Sequence, residues 1–251
     1  MVKLARTTDE VVEELEKIIE ECIQQRNQLG IFAALYRKVT LNVKRAIANN
    51  RFENGQRMEL FDVAFANRYL EAYQQNRLGG KPTSAWGITF ESIKHRKLIL
   101  MQHLLMGMNA HISLDLGIAA SEVCPGEQLS TLRNDFVEIN HLLVEMVDEV
   151  QDRIGQVSPT VKIVDWVMVR LDEAIVRQGL LMARDAAWDV AQQLSALPTE
   201  RRSQLIANLD YKVTGWSKTI KSPPWVLQPI VNLVRRTETH QIPKLIQTLY
   251  Y

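Results

Sequence analysis

The stretch "LILMQHLLMGMNAHISLDLGIAA" (Leu98–Ala120) decides the fold. Its Leu, Met, Ile and Ala content belongs to a buried element, yet it carries His103, Asn109, His111 and Asp115. Burying imidazoles and a carboxylate is costly unless each finds a partner, a ligand or a shifted proton affinity. On a wheel of ~100° per residue, His103, Gly107, His111 and Asp115 follow an i, i+4, i+8, i+12 row, a slowly drifting stripe. Leu104, Leu105, Met108, Ile112, Leu114 and Leu116 cover the other sides. A helix apolar all round is the central one of a bundle, here expected over about residues 91–119. Its polar residues are therefore not a wet face.

Working outward, helical signals recur on both sides. Thr7 with Glu10 resembles a capping box ahead of Val11, Leu15, Ile18 and Ile19, and Gly30 is the expected stop. A second helix covers "FAALYRKVTLNVKRAIAN", ending near Asn49 and Asn50, and a third begins after Gly55. "RLGGKPTS" is a loop in which Thr83 or Ser84 caps a short helix through Trp86 and Phe90. "EVCPGEQ" breaks the central helix. A helix over "STLRNDFVEINHLLVEMVDEVQDRI" follows, then a long pattern from about 160 to 196 that Pro198 ends. No alternating strand pattern of useful length occurs. The expected fold is all-α, a single-domain bundle of six to eight helices over residues 1–210, with residues 211–251 a C-terminal helical appendage packed on it.

Composition narrows the function classes. The 251 residues are 46% apolar and 24% charged, as in an ordinary globular protein. Lys plus Arg number 30 against 29 Asp plus Glu, so no global positive field favours nucleic acid. The charged amino terminus is no signal peptide and no apolar run suffices to span a membrane, so a cytoplasmic location is expected. Cys22 and Cys124 lie far apart and read as reduced thiols, with one disulfide as the alternative. The tail "TGWSKTIKSPPWVLQPIVNLVRR" is richer in Trp, Pro and cations. It reads as a helix packed on the bundle, or alternatively as an interfacial segment making peripheral membrane contact.

His111 and Asp115 are the strongest pair in the central stretch. Side chains at i and i+4 are neighbours, ~5–6 Å apart at Cβ, so the two can hold one divalent ion, zinc foremost. Alternatively, Asp115 orients the His111 ring through a hydrogen bond. His103 lies eight positions before His111, ~12 Å along the axis at 1.5 Å per residue, and cannot share an ion with Asp115 on a straight helix. Gly107 leaves a notch between the imidazoles for an ion, a water or a substrate atom, or marks a close helix crossing. Asn109 faces the opposite side and is expected to bond a neighbouring backbone. In "LFDVAFANRYL", Asp62 sits within an apolar run as a ligand, a general base or the partner of a buried Arg, with Arg68 and Tyr69 following. Glu138 and His141 match one half of a di-iron motif, but no second ExxH occurs, which makes the match a coincidence. Arg184 with Asp185 reads as a structural ion pair unless the guanidinium points to the centre. His95 and His240 are expected at the surface. No GxGxxG, Walker A, GxSxG or HExxH motif occurs.

"LFDVAFANRYLEAY" (Leu60–Tyr73) and "MQHLLMGMNAHISLDLGIAA" (Met101–Ala120) carry a resemblance. With "ARTTDEVVEELEKII", "FAALYRKVTLNVKRAI" and "TSAWGITFE", they make the chain resemble a bacterial family of all-helical proteins of unknown function over most of residues 4–190. The pattern HLLxGxNAHIxxDL is its most specific part. The resemblance implies an all-helical fold and no chemistry. More loosely, His111–Asp115 is similar to the HxxxD element of all-helical zinc phospholipases C and single-strand nucleases. Their HQPxH-type stretch and amino-terminal Trp ligand are absent here.

Three functional expectations follow. The leading one is a metal-dependent hydrolase of an apolar, lipid-like or phosphoester small molecule. There His111 and Asp115 bind the ion, and His103 and Asp62 act on its water, whose pKa the ion lowers toward ~7. Gly107, Arg68, Tyr69 and Trp86 meet the substrate, and Met106, Met108 and Phe90 shape an apolar wall. The second is a metal-free acid–base enzyme, an isomerase or cyclase of a hydrophobic metabolite, with Asp115 orienting His111. The third is a non-enzymatic protein whose buried His/Asp network specifies helix register.

Overall fold

The computed structural model describes residues 4–92, 98–157, 173–239 and 241–250, and every regular element among them is helical. α1 (Thr8–Gln25) starts where the Thr7 hydroxyl accepts from the Glu10 amide at 3.2 Å. Glu10 reaches back one residue further than a capping box requires, to the Arg6 amide. The helix stops at Arg26, which takes the left-handed conformation itself (φ 53°). Gly30 is therefore not the stop. It lies inside α2 (Leu29–Ala48), where a Cβ would sit 2.7 Å from both Cys22 Cβ and Ile246 Cδ1. Glycine is needed there for close packing, not for termination.

α3 (Gly55–Arg77) is capped by Asn54, whose side chain accepts from the Arg57 amide at 2.9 Å. α4 (Ser84–Glu91) is capped from outside its own segment. Thr83 makes no capping bond; the Ser84 and Ala85 amides donate instead to the Asp210 carboxylate, at 2.7 and 2.8 Å.

The central helix comes in three pieces: α5 (Leu100–Met108), a π-helical segment (Asn109–Asp115) and α6 (Leu116–Val123). Residues 93–97, in the expected first turn, lie outside the described residues, as do His95 and His240. Most of it is buried, but Leu105 is 42% exposed, so the helix is not apolar-faced to protein on every side. A 3₁₀ stretch (Gly126–Leu132) leads into α7 (Arg133–Val157). Then come α8 (Glu173–Ala196), α9 (Thr199–Lys221), a 3₁₀ turn (Trp225–Leu227), α10 (Gln228–Thr237) and α11 (Ile242–Tyr250). The first part of the pattern expected from about residue 160 is outside the described residues.

There are more helices than the six to eight expected, because the central element is interrupted and the tail folds as two. The boundary expected at 210–211 falls inside α9. α6 packs chiefly on α8 and α3, the π segment on α9 and α8, and α11 on α2 and α7. Leu245, Ile246 and Leu249 of α11 are buried in a core to which every helix from α1 to α9 contributes. A second cluster joins Phe61, Phe136 and Trp188 across α3, α7 and α8. No described helix is long and apolar enough to cross a membrane, and both cysteines are free and buried.

Candidate functional site

The site is built around Asp115, at the end of the π segment. A π-helical ladder bonds i to i+5 and widens the turn, and such segments often occur at functional sites. His111 and Asp115 remain neighbours across it, with Nδ1 3.4 Å from Oδ2. Arg68 Nε donates to Asp115 Oδ1 at 3.0 Å and Trp86 Nε1 donates to Oδ2 at 2.8 Å. The carboxylate, 1% exposed, is thus satisfied by a cation and an indole as well as by the imidazole. Its buried charge is compensated by Arg68, which also reaches Glu122.

His111 is encased by aromatic rings. Phe65 stacks on it at 3.6 Å between centroids, and Tyr36 meets it edge-on at 4.4 Å. Burial lowers its proton affinity, opposed by the bond to Asp115. The notch expected at Gly107 is filled: a Cβ there would lie 2.5 Å from Cδ2 of Phe32. Gly107 is a close-crossing residue between α5 and α2, not an open contact for substrate. Both Asp115 oxygens already accept hydrogen bonds, one of them from the Arg68 cation, which would repel a divalent ion. Among the described residues no group of three or more His, Cys, Asp or Glu is placed to hold a metal ion. His111 and Asp115 in this arrangement do not fit a divalent ion.

His103 stands in a different environment. It is buried, its Nε2 has no hydrogen-bond partner, and burial pushes its proton affinity down to about 4, so it is neutral at pH 7. It lines a void of about 20 Å³ together with Phe32, Tyr69, Trp86, Thr89 and Phe90, room for one water-sized group. The Tyr69 hydroxyl likewise has no partner. Leu29 and Phe90 line both this void and an open cleft of about 580 Å³. That cleft is bordered by Asn27, Asn76, Lys81 and Ser84 at the ends of α2, α3 and α4. Its volume lies in the range of small-molecule sites.

Asp62 lines neither the void nor the cleft. It is buried, its Oδ2 has no partner, and burial, reinforced by Glu59, raises its carboxyl to about 7. It is not the partner of Arg68, and its charge is felt by Tyr36 instead. Arg184 does not pair with Asp185, which meets Arg133 at 3.6 Å. The Arg184 guanidinium is buried over the Phe136 ring, bonding Asn140 and the Phe136 carbonyl at 3.0 Å. Glu138 pairs with Arg51 on the surface, away from any centre. Asn109 donates to the Val213 carbonyl and to Ser217, from the face opposite the stripe.

Two subsites emerge from residues that were expected to form one. Arg68, Trp86, His111 and Asp115 make a closed knot, whereas His103, Tyr69 and Trp86 face the void. Phe32, Phe65 and Tyr36, the rings around His111, were not among the expected site residues. Their signal was present, since Phe32 with Tyr36 and Phe65 with Tyr69 recur at i, i+4 on α2 and α3. The cleft polar groups Asn27, Asn76 and Lys81 carry no such signal, lying in or beside loops.

No curated protein and no solved structure matches the chain. A family model does, over residues 8–223, which takes in α1 through α9 and every residue of both subsites. It extends beyond residue 190, up to which the resemblance was read in the sequence. The chain belongs to the family of unknown function DUF5995.

Proposed function

We propose that the protein is a metal-free acid–base enzyme that acts on a small, partly apolar metabolite entering the cleft between α2, α3 and α4. One observation carries this reading: a neutral imidazole, Nε2 unpartnered, borders a void that shares Leu29 and Phe90 with the cleft. Rotation of those two side chains joins the spaces and admits the apolar end of the ligand. His103, held neutral by burial, then donates to or accepts from a substrate oxygen without charge being buried in the ground state. Trp86 and Phe90, stacked at 5.3 Å between centroids, supply the apolar wall, and Asn27, Asn76 and Lys81 meet the polar end. Asp115, through Trp86, positions that wall. The metal-dependent hydrolase expected at His111 and Asp115 is less well supported, because the Asp115 oxygens face Arg68 and Trp86.

A second reading, a non-enzymatic buried network, is favoured by the saturation of Asp115 and the filling of Gly107 by Phe32. Incubating the purified protein with a metabolite extract, followed by mass spectrometry, separates the two. Gly87→Trp, placed where an added side chain meets open space in the cleft, abolishes both retention and turnover. His103→Gln keeps retention and lowers turnover at least ~10²-fold, the scale of general acid–base catalysis. Identical metabolite profiles for the wild type and both folded variants would favour the structural network. Turnover abolished by a chelator would return the metal-dependent reading.

A further inference from the structure

Between Gln102 and Glu238 the carboxyl-terminal region is pinned twice to the start of α5. Gln102 Nε2 donates to the carbonyls of Ile220 and Lys221 at 2.8 and 3.2 Å. Glu238 accepts from the Leu100 amide at 2.9 Å. The chain from Ser222 to Thr237 is an excursion between these anchors, and within it only Val234 is buried. Just after Pro223 and Pro224, Trp225 is 83% and Val226 55% exposed, followed by exposed Leu227. Leu233 and, on α9, Trp216 and Tyr211 are exposed too. Three consecutive large apolar side chains left exposed are not explained by folding, since burial is what such residues gain from it.

The charge along this part of the sequence has one sign. From Tyr211 to Thr237 the sequence holds Lys212, Lys218, Lys221, Arg235 and Arg236 and no Asp or Glu, although the whole chain is only +1. Apolar and aromatic side chains flanked by cations suit the boundary of an anionic bilayer, where indole rings sit at headgroup level and each nearby cation adds ~1 kcal/mol, about fivefold in partitioning. A second copy of this chain would bring five like charges against five, which disfavours self-association through this face. We infer that the excursion, together with the last turn of α9, is a docking surface for an anionic phospholipid membrane, with Trp225, Val226 and Leu227 entering the headgroup region and Lys218, Lys221 and Arg236 meeting the phosphates.

The test is co-sedimentation of the full chain with vesicles of phosphatidylcholine alone and of phosphatidylcholine mixed with phosphatidylglycerol. The wild type pellets with the mixed vesicles, not with the neutral ones, and added salt releases it. Trp225→Ser weakens partitioning about tenfold, the value of withdrawing a large apolar side chain from the interface. Lys218→Glu with Arg236→Glu weakens it by at least about 25-fold, two cations at about fivefold each. All three positions are exposed, so unfolding temperatures stay at the wild-type value. Failure to pellet with anionic vesicles, equal binding to neutral ones, or a dimer in solution that Trp225→Ser dissociates would each overturn the inference.

Discussion

His103 and Asp62 are buried titratable groups pushed in opposite senses, and their effects on stability run opposite ways with pH. The folded chain holds the Asp62 proton up to about 7, against 3.8 normally, so it binds more protons than the unfolded chain between those values. Its stabilising contribution is complete below the lower value and is lost as pH rises through the upper one. His103, lowered from 6.5 to about 4, does the reverse: its contribution is present above 6.5 and fades as pH falls toward 4. Asp62→Asn removes the first effect alone. At 1.36 kcal/mol per unit, the variant's advantage over the wild type should be about 2–3 kcal/mol greater at pH 8 than at pH 5. Urea unfolding at the two pH values checks this, and an equal difference at both would mean that Asp62 is ionised in the fold. The sequence made both groups conspicuous, because an ionisable residue in an apolar run is anomalous by itself. It left the fate of Asp115 open, since its partners lie 47 and 29 positions away, beyond any local period.

Among the elements, α4 depends most on a distant residue. Its first two amides are satisfied by Asp210, 126 and 125 positions along the chain, and the carboxylate also suits the positive end of the helix. Asp210→Ala should therefore cost about 1 kcal/mol, and Asp210→Asn should recover most of it, as read from urea midpoints. A loss unrelieved by Asn would assign the effect to charge rather than to capping. Helices as far as Ala196 were legible from apolar periodicity, but α9 and the division of the tail into two helices were not. Terminations were less legible: the predicted cap at Thr83 and stop at Gly30 assumed local solutions where the fold uses tertiary ones. The π segment had no signature either, because α and π windings accept the same apolar residues.

At the scale of the molecule, α11 closes the bundle by returning to pack on α2 and α7. Ile246, fully buried, meets Gly30 there, so Ile246→Ala should lower stability by about 2–5 kcal/mol through lost burial and the cavity left behind. Thermal or urea unfolding checks the value, and a loss below ~1 kcal/mol would show that the last helix docks without supporting the core. The all-helical class followed from periodicity, but that this last helix belongs to the core did not, since its three buried residues look like any short amphipathic turn. The winding of the central element carries one more consequence. Seven residues of relaxed pitch act as a vernier between α5 and α6, setting how the far half is rotated against the near half. Each residue of an ordinary helix advances ~100°. Deleting one position between Asn109 and Asp115 would regularise the backbone while swinging Asp115 away from Arg68 and Trp86. The chain can vary in length at its loops, but along this one stretch its length is itself a structural parameter.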